Sequence, residues 1–262
     1  MKLNGNTILI TGGATGIGFA LAESFMREGN TVIITGRRES KLFEAQEKLP
    51  GLQIKVCDVA DARERIELFK WMTSHFPELN VLVNNAGIQR DIDLKKGIEQ
   101  LVTGGDELRT NLEAPIYLSA LFVPFFMNKE NAAILNVTSG IAFIPSVKAP
   151  LYSTTKAALH TFSIVLRHQL KDTGINVFEV IPPLILDTEL NPEGRAKARE
   201  AAGGVPDHIR YARMNCPPAA VFADAVLAKL QADVFEIGYG TSEASLTASR
   251  EELAQIFKAM NP

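Results

Sequence analysis

Short runs of β-branched residues alternate along this chain with longer segments of helical periodicity, and this alternation restricts the fold more than any other feature. The predicted strands are Thr7–Thr11, Thr31–Thr35, Gln53–Cys57, Val81–Asn84, Ala133–Thr138 and Asn176–Ile181, with Val234–Ile237 as a seventh. The predicted helices are Ile17–Glu28, Glu39–Lys48, Ala62–His75, Leu108–Met127 and Leu151–Lys171. Because parallel neighbours need crossover connections, the pattern predicts an α/β fold, a doubly wound parallel sheet with helices on both faces.

Composition is that of a globular chain without polyanionic partners. The chain has 262 residues, of which 46% are hydrophobic and 22% charged, and its net charge is −3. This charge gives no electrostatic reason to expect nucleic acid or an anionic membrane as a partner. We expect a single domain over residues 1–262. One segment, Asn191–Pro218, is rich in Pro, Gly, Ala, Arg and Glu and is predicted to be a substrate-loop or lid insertion.

Cysteine usage and hydropathy predict a cytoplasmic location and no metal. The only cysteines are Cys57 and Cys216, and no spaced Cys/His cluster suggests a metal site. The first strand begins too early in the chain for a signal peptide. The most apolar stretch, Ala114–Met127, falls short of the roughly 20 residues that a membrane-spanning helix needs. We interpret it as a buried helix.

A glycine-rich turn connects the first predicted strand to the first predicted helix. Its glycines are Gly12, Gly16 and Gly18, with Thr15 and Ile17 between them. Glycine lets the backbone approach a pyrophosphate closely, and the free N–H groups at a helix start favour negative charge. The spacing differs from the commoner Gly-x-Gly-x-x-Gly fingerprint, so a generic glycine turn is the alternative. Its place in the first βα unit favours a phosphate-binding turn of a Rossmann-type domain.

A serine, a tyrosine and a lysine follow in an order that predicts hydride chemistry. Tyr152 and Lys156 are four residues apart, so on a helix their side chains can converge. A lysine ammonium there would lower the tyrosine pKa from about 10 toward neutrality. Ser139 ends an apolar strand, where its hydroxyl could bond a substrate oxygen. Each residue alone has an ordinary structural interpretation; their order after the glycine turn gives the prediction.

Together these elements resemble the short-chain dehydrogenase/reductase family. The resemblance covers about residues 7–190. It implies an oxidoreductase that transfers a hydride between NADP(H) and a small-molecule alcohol or carbonyl substrate. The matching elements are Thr11-Gly12-Gly13-Ala14-Thr15-Gly16-Ile17-Gly18, Asp58-Val59, Asn84-Asn85-Ala86-Gly87, Asn111, Ser139, and Tyr152 with Lys156.

The resemblance implies a role for each of four residues in catalysis. Tyr152 would be the general acid in carbonyl reduction and the base in alcohol oxidation, and Ser139 would orient the substrate oxygen. Lys156 would lower the tyrosine pKa and hold the nicotinamide ribose, and Asn111 would fix a water that links the lysine to solvent. Such donors stabilise the negative charge that develops on one oxygen, while the cofactor supplies the hydride.

The resemblance also implies contacts to the adenosine half of the cofactor. Asp58, followed by Val59, would bond the adenine amino group, and Asn85-Ala86-Gly87 would line the adenosine ribose and support the sheet. Asp58 has an alternative role at the N-terminus of the helix that follows Ala60–Asp61.

Cofactor choice depends on the end of the second strand. Gly36 stands where NAD-binding relatives carry an acidic residue, and Arg37 and Arg38 follow it. A guanidinium binds phosphate bidentately, so NADP(H) is preferred. Thr15 argues in the opposite direction because many NADP-preferring relatives have a basic residue there, and NAD(H) stays possible.

The chain departs from the family pattern after the sixth strand. Relatives carry Pro-Gly and then a threonine that bonds the nicotinamide amide, whereas this chain has Pro182-Pro183, and Thr188 matches only with one inserted residue. A second proline cannot adopt a positive φ and lacks an N–H. In its double proline the chain resembles a bacterial branch of the family that is named for its association with lipoteichoic-acid D-alanylation operons.

Substrate specificity is predicted to reside in loops at the carboxyl ends of the strands: Gln89–Thr103, Gly140–Leu151 and Asn191–Pro218. Within them Phe143, Ile144 and Val147 would form an apolar wall. Four arginines could bind an acidic group or cover a solvated helix face, and they are Arg195, Arg199, Arg210 and Arg213.

Two other functional classes stay open, and an oligomer is expected. A catalytically silent NADP(H)-binding regulatory or scaffold protein could dispense with the four catalytic residues, which are all present. A serine hydrolase would need a Gly-x-Ser-x-Gly elbow, which Ser139 lacks. The resemblance implies a homodimer or homotetramer that pairs through the helices carrying Asn111 and Tyr152.

Overall fold

The computed structural model describes residues 1–102, 107–185, 187–192, 194, 196, 200 and 216–261. Within them, seven parallel strands form one sheet of order β3-β2-β1-β4-β5-β6-β7. The strands are β1 (Thr7–Thr11), β2 (Thr31–Gly36), β3 (Gln53–Val56), β4 (Leu79–Asn84), β5 (Ala133–Val137), β6 (Asn176–Ile181) and β7 (Glu236–Gly238). The predicted doubly wound α/β fold is confirmed.

Helices cover both faces of this sheet. They are α1 (Gly16–Arg27), α2 (Glu39–Lys48), α3 (Ala62–His75), the single turn α4 (Glu99–Val102), α5 (Ala114–Phe126), α6 (Pro150–Gln169), α7 (Ala219–Gln231), α8 (Thr241–Thr247) and α9 (Arg250–Met260). Short 3₁₀ turns lie at Leu94–Lys96 and Gly140–Ala142.

Successive side chains of the strands point to opposite faces of the sheet and pack into two hydrophobic cores. On one face Ile8 and Ile10 of β1 pack with Phe25 of α1 and Phe222 of α7. On the other face Leu9 packs among residues of α3, α5 and α6. All of these side chains are fully buried, and burying each contributes about 1.5–3 kcal/mol. Continuous burial on both faces explains why the inner strands of the sheet read as apolar runs rather than as alternating ones.

Several predicted boundaries are wrong by a few residues. The seventh strand is Glu236–Gly238 rather than Val234–Ile237, because the chain leaves α7 through a turn in which Asp233 has φ +53°. The strands predicted at Gln53–Cys57 and Ala133–Thr138 end one residue earlier in the structure, at Val56 and Val137. The strand predicted at Val81–Asn84 begins two residues earlier, at Leu79. The other predicted strands and helices agree within one or two residues, except the predicted helix Leu108–Met127, which is described next.

The predicted helix Leu108–Met127 is not a uniform α-helix. Its first part, Arg109–Glu113, is a π-helical turn that continues directly into α5. Pro115 lies in the first turn of α5, where a missing N–H costs little. Single π turns inside helices occur frequently at functional sites, and this one carries Asn111.

The chain reverses its winding direction between β1 and β4. Strands β2 and β3 extend from β1 to one side, and β5, β6 and β7 extend from β4 to the other. In open α/β sheets, ligands bind at the carboxyl ends of the strands at such a point. The turn after β1 and the loop after β4 meet there.

Candidate active site

The glycine-rich turn after β1 packs against the loop after β4. Gly12 has φ +64°, and a Cβ built on it would lie 2.8 Å from the Cα of Ala86, so only glycine fits. The Asn85 side chain donates to the carbonyls of Thr11 (2.9 Å) and Gly12 (3.0 Å). A Cβ on Gly18 would lie 2.4 Å from Asn85 Nδ2. Asn85 therefore supports the backbone of the turn.

The amino terminus of α1 opens from this turn into a large cleft. Thr15 occupies the N-cap position with an extended backbone, and its side chain makes no capping hydrogen bond. Thr15, Gly16 and Ile17 all line the cleft, whose volume is about 2310 Å³. Because the first N–H groups of a helix have no intrahelical acceptor, this end suits a phosphate.

Ser139 and Tyr152 meet at the other end of the cleft. Ser139 follows β5 with an extended backbone (φ −173°, ψ 155°), and its Oγ accepts from the N–H of Ile141 at 3.3 Å. The Ser139 hydroxyl is close enough to Tyr152 to lower the pKa of the phenol. Tyr152 lies in the first turn of α6 and is 6% exposed. The structure thus brings together two hydroxyls from separate elements.

Lys156 lies one turn after Tyr152 on α6. Its Nζ is 5.6 Å from the centre of the Tyr152 ring and donates to the Val137 carbonyl at 2.7 Å. A Cβ built on Gly87 would be 3.7 Å from this Nζ and 3.5 Å from Asn111 Oδ1. Gly87 therefore leaves the space between Lys156 and Asn111 open.

Burial, rather than the lysine charge, dominates the acidity of Tyr152. Burial raises the pKa of Tyr152 to about 12; the hydrogen bond with Ser139 opposes this shift, and the negative charge of Glu107 adds to it. Burial also lowers the pKa of Lys156 to about 8. The predicted lowering of the Tyr152 pKa is therefore wrong. The prediction rested on residue spacing, which carries no information on how deeply the tyrosine and the lysine are buried.

Asn111, in the π turn, is fully buried and binds the loop after β4. Its Oδ1 accepts from the N–H of Ile88 at 2.9 Å, and its Nδ2 donates to the Ile88 carbonyl at 2.8 Å. A further hydrogen bond reaches Thr155 Oγ1 at 3.3 Å. Asn111 thereby connects Gly87–Ile88 to α6 in the residues around Lys156.

Asp58 and Val59 line the cleft on the β2–β3 side. Asp58 Oδ1 accepts from the N–H of Ala60 at 3.0 Å, while Asp61 is the residue whose side chain caps α3, accepting from two backbone N–H groups. The helix-capping alternative for Asp58 is therefore wrong by three residues, because Asp61 occupies that position.

Gly36, Arg37 and Arg38 form the rim of the same end of the cleft. A Cβ on Gly36 would meet no atom closer than 3.9 Å, so space is open beside the rim. Arg38 pairs across the cleft with Glu189 at 3.0 Å, and both side chains are half exposed. Arg37 is exposed, and within the part of the chain that the structure describes it forms no ion pair.

The double proline after β6 lies beside the segment that carries Ser139. The carbonyl of Pro182 accepts from the N–H of Gly140 at 2.9 Å. Pro182, Pro183 and Thr188 all line the cleft. The Thr188 methyl lies 3.3 Å from where a Gly16 Cβ would be, which puts Thr188 close to the glycine-rich turn.

The predicted apolar wall is only partly present. Ile144 lines the cleft. Phe143 instead packs edge-on against His160, with ring centres 4.8 Å apart, and Val147 is 59% exposed. The segment is a 3₁₀ turn followed by a loop, so its side chains do not share one face. The predicted lid Asn191–Pro218 and its arginines at 195, 199, 210 and 213 lie almost wholly outside the described residues.

The carboxyl-terminal helices α8 and α9 supply a wall that the sequence interpretation missed. Gly140 packs against α8, with a built Cβ 3.3 Å from the Cβ of Ser242. At the far end of α9, Asn261 accepts from the N–H of Val147 at 2.8 Å and donates to the Pro145 carbonyl at 3.0 Å. Ile256 and Met260 line the cleft from α9. Their spacing of four residues is the signal that identifies this face.

Two buried carboxyl groups near the site were also not predicted. Glu107 is fully buried, its Oε1 accepts from the N–H of Arg90 at 3.3 Å, and burial raises its pKa. Glu179 is fully buried between Thr138 and His160. Their partners lie 17 to 41 positions away, so no local motif announces them.

Neither a metal site nor a membrane-spanning helix is found in the described residues. These residues contain no group of three or more His, Cys, Asp or Glu side chains placed to hold a metal ion. Across the same part of the chain, no helix has the length and apolar character that crossing a membrane requires.

Comparison with known proteins agrees with this geometry. A family model described as short chain dehydrogenase matches residues 6–199. The chain is 45% identical over 263 residues to the uncharacterized oxidoreductase DltE of Bacillus subtilis (strain 168), with 100% of this chain and 98% of that protein covered. It is 29% identical over 187 residues to the NADP-dependent 3-hydroxy acid dehydrogenase YdfG of Escherichia coli (strain K12), covering 70% of this chain and 74% of that one.

Solved structures share the fold at lower sequence identity. A short chain dehydrogenase from Burkholderia cenocepacia J2315 in complex with NADP has a TM-score of 0.78 at 22% identity, covering 98% of this chain and 99% of that one. A short chain dehydrogenase/reductase from Burkholderia phymatum in complex with NAD has a TM-score of 0.79 at 17% identity, covering 100% and 98%. The predicted family resemblance is confirmed, and the similarity to DltE agrees with the predicted branch.

Proposed function

Because this chain belongs to the short chain dehydrogenase family, we propose that this oxidoreductase transfers a hydride between NADP(H) and an alcohol or carbonyl substrate, with Tyr152 as the general acid/base. The observation that carries the proposal is the convergence of Ser139, Tyr152 and Lys156 in one cleft, with the Lys156 Nζ 5.6 Å from the centre of the tyrosine ring. All three residues line the cleft that begins at the glycine-rich turn.

The residues of the cleft suit a dinucleotide. Gly12 admits no side chain next to Ala86, α1 presents an uncapped amino terminus, and Gly36 leaves room beside Arg37. The phosphate-holding residues would be Gly12, Thr15, Gly16, Ile17 and Gly18. The adenosine half would be held by Asp58, Val59, Asn85, Ala86 and Gly87, and the nicotinamide half by Tyr152, Lys156, Pro182 and Thr188. When bound, NADPH supplies the hydride.

Ser139 and Tyr152 would hold the substrate oxygen between their hydroxyl groups. During carbonyl reduction that oxygen gains negative charge, which two preorganised donors stabilise. Tyr152 then gives its proton to the oxygen, and in alcohol oxidation it accepts one. Lys156 would contribute its positive charge and hold the nicotinamide ribose, while Asn111 holds the backbone of Ile88 in the loop after β4.

NADP(H) is the cofactor that the rim of the cleft favours. Arg37 is exposed beside the open space at Gly36, whereas Arg38 is paired with Glu189. YdfG is described as NADP-dependent, which adds support, while NAD(H) use stays the alternative because a structural relative binds NAD.

Replacing Arg37 by alanine tests this choice. We expect Arg37→Ala to raise the KM for NADPH by roughly tenfold, because a charge-assisted hydrogen bond contributes about 1.5–3 kcal/mol. The KM for NADH should change less than twofold. Arg38→Ala is the matched control and should have the smaller effect on NADPH. Equal loss of affinity for both cofactors in Arg37→Ala would show that this arginine does not bind the 2′-phosphate.

Turnover separates this proposal from the regulatory alternative. A panel of aldehydes, ketones and alcohols should include compounds that change NADPH or NADP absorbance with the purified protein. Tight NADPH binding without turnover of any compound would instead support a silent NADP(H)-binding regulatory or scaffold protein.

We also propose that the enzyme is a cytoplasmic homodimer or homotetramer. Helices α5 and α6 expose apolar side chains on their outer faces, among them Tyr117 (56%), Ile164 (43%) and Val165 (48%). Exposed apolar patches of this kind mark association surfaces.

A further inference from the structure

Helix α6 faces the sheet with a line of polar side chains. Spacings of three and four residues place them on one helix face. The members of this polar seam are Lys156, His160, Ser163 and Arg167. Lys156 donates to the Val137 carbonyl at 2.7 Å, and Ser163 accepts from Asn136 at 3.0 Å. The helix that carries Tyr152 is therefore fixed to the sheet by directional contacts as well as by apolar packing.

Glu179 of β6 contacts the polar seam through His160 and is fully buried. Thr138 Oγ1 donates to its Oε1 at 2.6 Å, and His160 Nδ1 forms a hydrogen bond with its Oε2 at 2.8 Å. An isolated buried carboxylate costs several kcal/mol unless charge and hydrogen bonds compensate it. Both oxygens of Glu179 are engaged, and one of the partners directly precedes Ser139.

The charges around Glu179 come from two elements. His160 of α6 contacts it directly, Lys156 and Arg167 lie one turn before and two turns after His160 on the same helix face, and Glu236 stands beside it on β7 in register. Glu236 is half exposed and pairs with Arg167 at 3.3 Å. The Glu179 carboxylate raises the pKa of Lys156, opposing the larger lowering by burial. Hydrogen bonding to Glu179 likewise raises the pKa of His160.

We propose that Glu179 is a positioning residue of the hydride-transfer site: its carboxylate is the buried counter-ion of Lys156, and through Thr138 it fixes the strand end that carries Ser139. This inference rests on the proposed function, because it assigns Lys156 and Ser139 the roles given above. It assigns His160 a supporting role, since the imidazole holds the second oxygen of the same carboxylate.

Glu179→Gln tests the charge, because glutamine keeps the size and an oxygen for Thr138. In carbonyl reduction both Tyr152 and Lys156 act protonated, and Lys156 loses its proton first, since its pKa is about 8 and that of Tyr152 about 12. The alkaline fall in kcat should therefore report Lys156. We expect Glu179→Gln to move this fall about one pH unit lower.

The matched control is Glu236→Gln, which removes a carboxylate on the neighbouring strand that pairs with Arg167 rather than with Thr138 or His160. Its pH profile should coincide with that of the wild type. Near pH 8.5 we expect kcat of Glu179→Gln to be roughly tenfold below wild type, with KM for the carbonyl changed less than threefold. Coincident pH profiles for both variants would overturn the inference.

A titration of Lys156 without substrate separates the two proposals. In protein labelled with ¹³C at the lysine Cε, the Lys156 resonance is assigned by its loss in Lys156→Met. Glu179→Gln should lower the titration midpoint of this resonance by about one unit. If that shift occurs but no carbonyl is reduced, the proposed function fails while the coupling of Glu179 to Lys156 stands. If carbonyls are reduced but the midpoint is unchanged, the Glu179 inference fails.

Glu179→Gln leaves His160 beside a neutral amide in place of a carboxylate, and this change could prevent folding. A second variant provides for that case. Should circular dichroism show that this variant does not fold, the double variant Glu179→Leu/His160→Phe removes the whole buried pair. Replacing a buried ion pair by apolar residues of similar volume is often neutral for stability. The Lys156 midpoint should fall in the double variant as well, and an unchanged midpoint there would equally contradict the inference.

Discussion

Lys156 shows how a single buried residue can serve chemistry at the expense of stability. It is 3% exposed, and burial lowers its pKa to about 8 from an ordinary value of 10.5. Each pKa unit corresponds to about 1.4 kcal/mol. Its charge is therefore retained near neutrality only against a considerable desolvation penalty.

Lys156→Met should stabilise the fold while abolishing turnover. Below pH 8 we expect the free energy of unfolding to rise by up to about 3 kcal/mol, because methionine carries no charge that must be desolvated. Wild-type stability should itself rise between pH 8 and 10.5, since the unfolded chain then binds the extra proton. The advantage of the variant therefore disappears over this window.

Urea unfolding at pH 7 and pH 10 measures this difference, with exposed Lys171→Met as the control that should change little. A variant less stable than wild type at pH 7 would show that Lys156 contributes more through its hydrogen bond to Val137 than it costs by burial.

At the residue scale, the positions that meet at the cleft could be predicted because they follow strand ends in a parallel sheet. Ser139, Tyr152 and Asn85 lie where the alternation of strands and helices puts them. The acidity of Tyr152 could not be predicted, since burial depends on the packing of α6. Glu179 could not be predicted for the same reason: its partners Thr138 and His160 come from two other elements.

At the scale of elements, strands β1, β2, β4, β5 and β6 were predictable because each is a mainly buried apolar run between turns. The edge strand β3 is only partly buried and was predicted from its place in the alternation of strands and helices. Helices α7, α8 and α9 were not predicted. Helix α7 is apolar over much of its length, which masks its period, and α9 buries no residue. The π turn at Arg109–Glu113 has no sequence period that distinguishes it from an ordinary helix.

Helix α9 carries a specificity prediction. Ile256 and Met260 line the cleft but are 40% and 57% exposed, so they are available to an apolar substrate group. We expect Ile256→Ser/Met260→Ser to raise KM for carbonyl compounds with bulky apolar substituents by roughly tenfold, since lost burial of each side chain is worth about 1 kcal/mol.

The KM for NADPH should stay unchanged in this double variant, and Lys258→Ser on the exposed part of the same helix should behave like wild type. Kinetics with a short and a bulky carbonyl compound would measure the effect. Equal KM values for both proteins with every compound would remove α9 from the substrate site.

At the scale of the whole molecule, the outer faces of α5 and α6 carry the proposed subunit contact. Introducing charge at Ile164 and Val165 should separate the subunits, because a buried unpaired charge opposes association. We expect Ile164→Lys/Val165→Asp to elute as a monomer with retained circular dichroism, measured by size-exclusion chromatography with light scattering. A wild-type protein that is monomeric at micromolar concentration would contradict the proposed oligomer.

The central claim is that Tyr152 transfers the proton in a hydride-transfer reaction, and one paired measurement on Tyr152→Phe tests it most directly. The variant loses a single hydroxyl beside Ser139 and keeps the ring beside Lys156. We predict that NADPH-dependent carbonyl reduction falls by at least about 100-fold, while the Kd for NADPH, measured by fluorescence titration, changes less than threefold. A Tyr152→Phe variant that retains wild-type kcat would contradict the account.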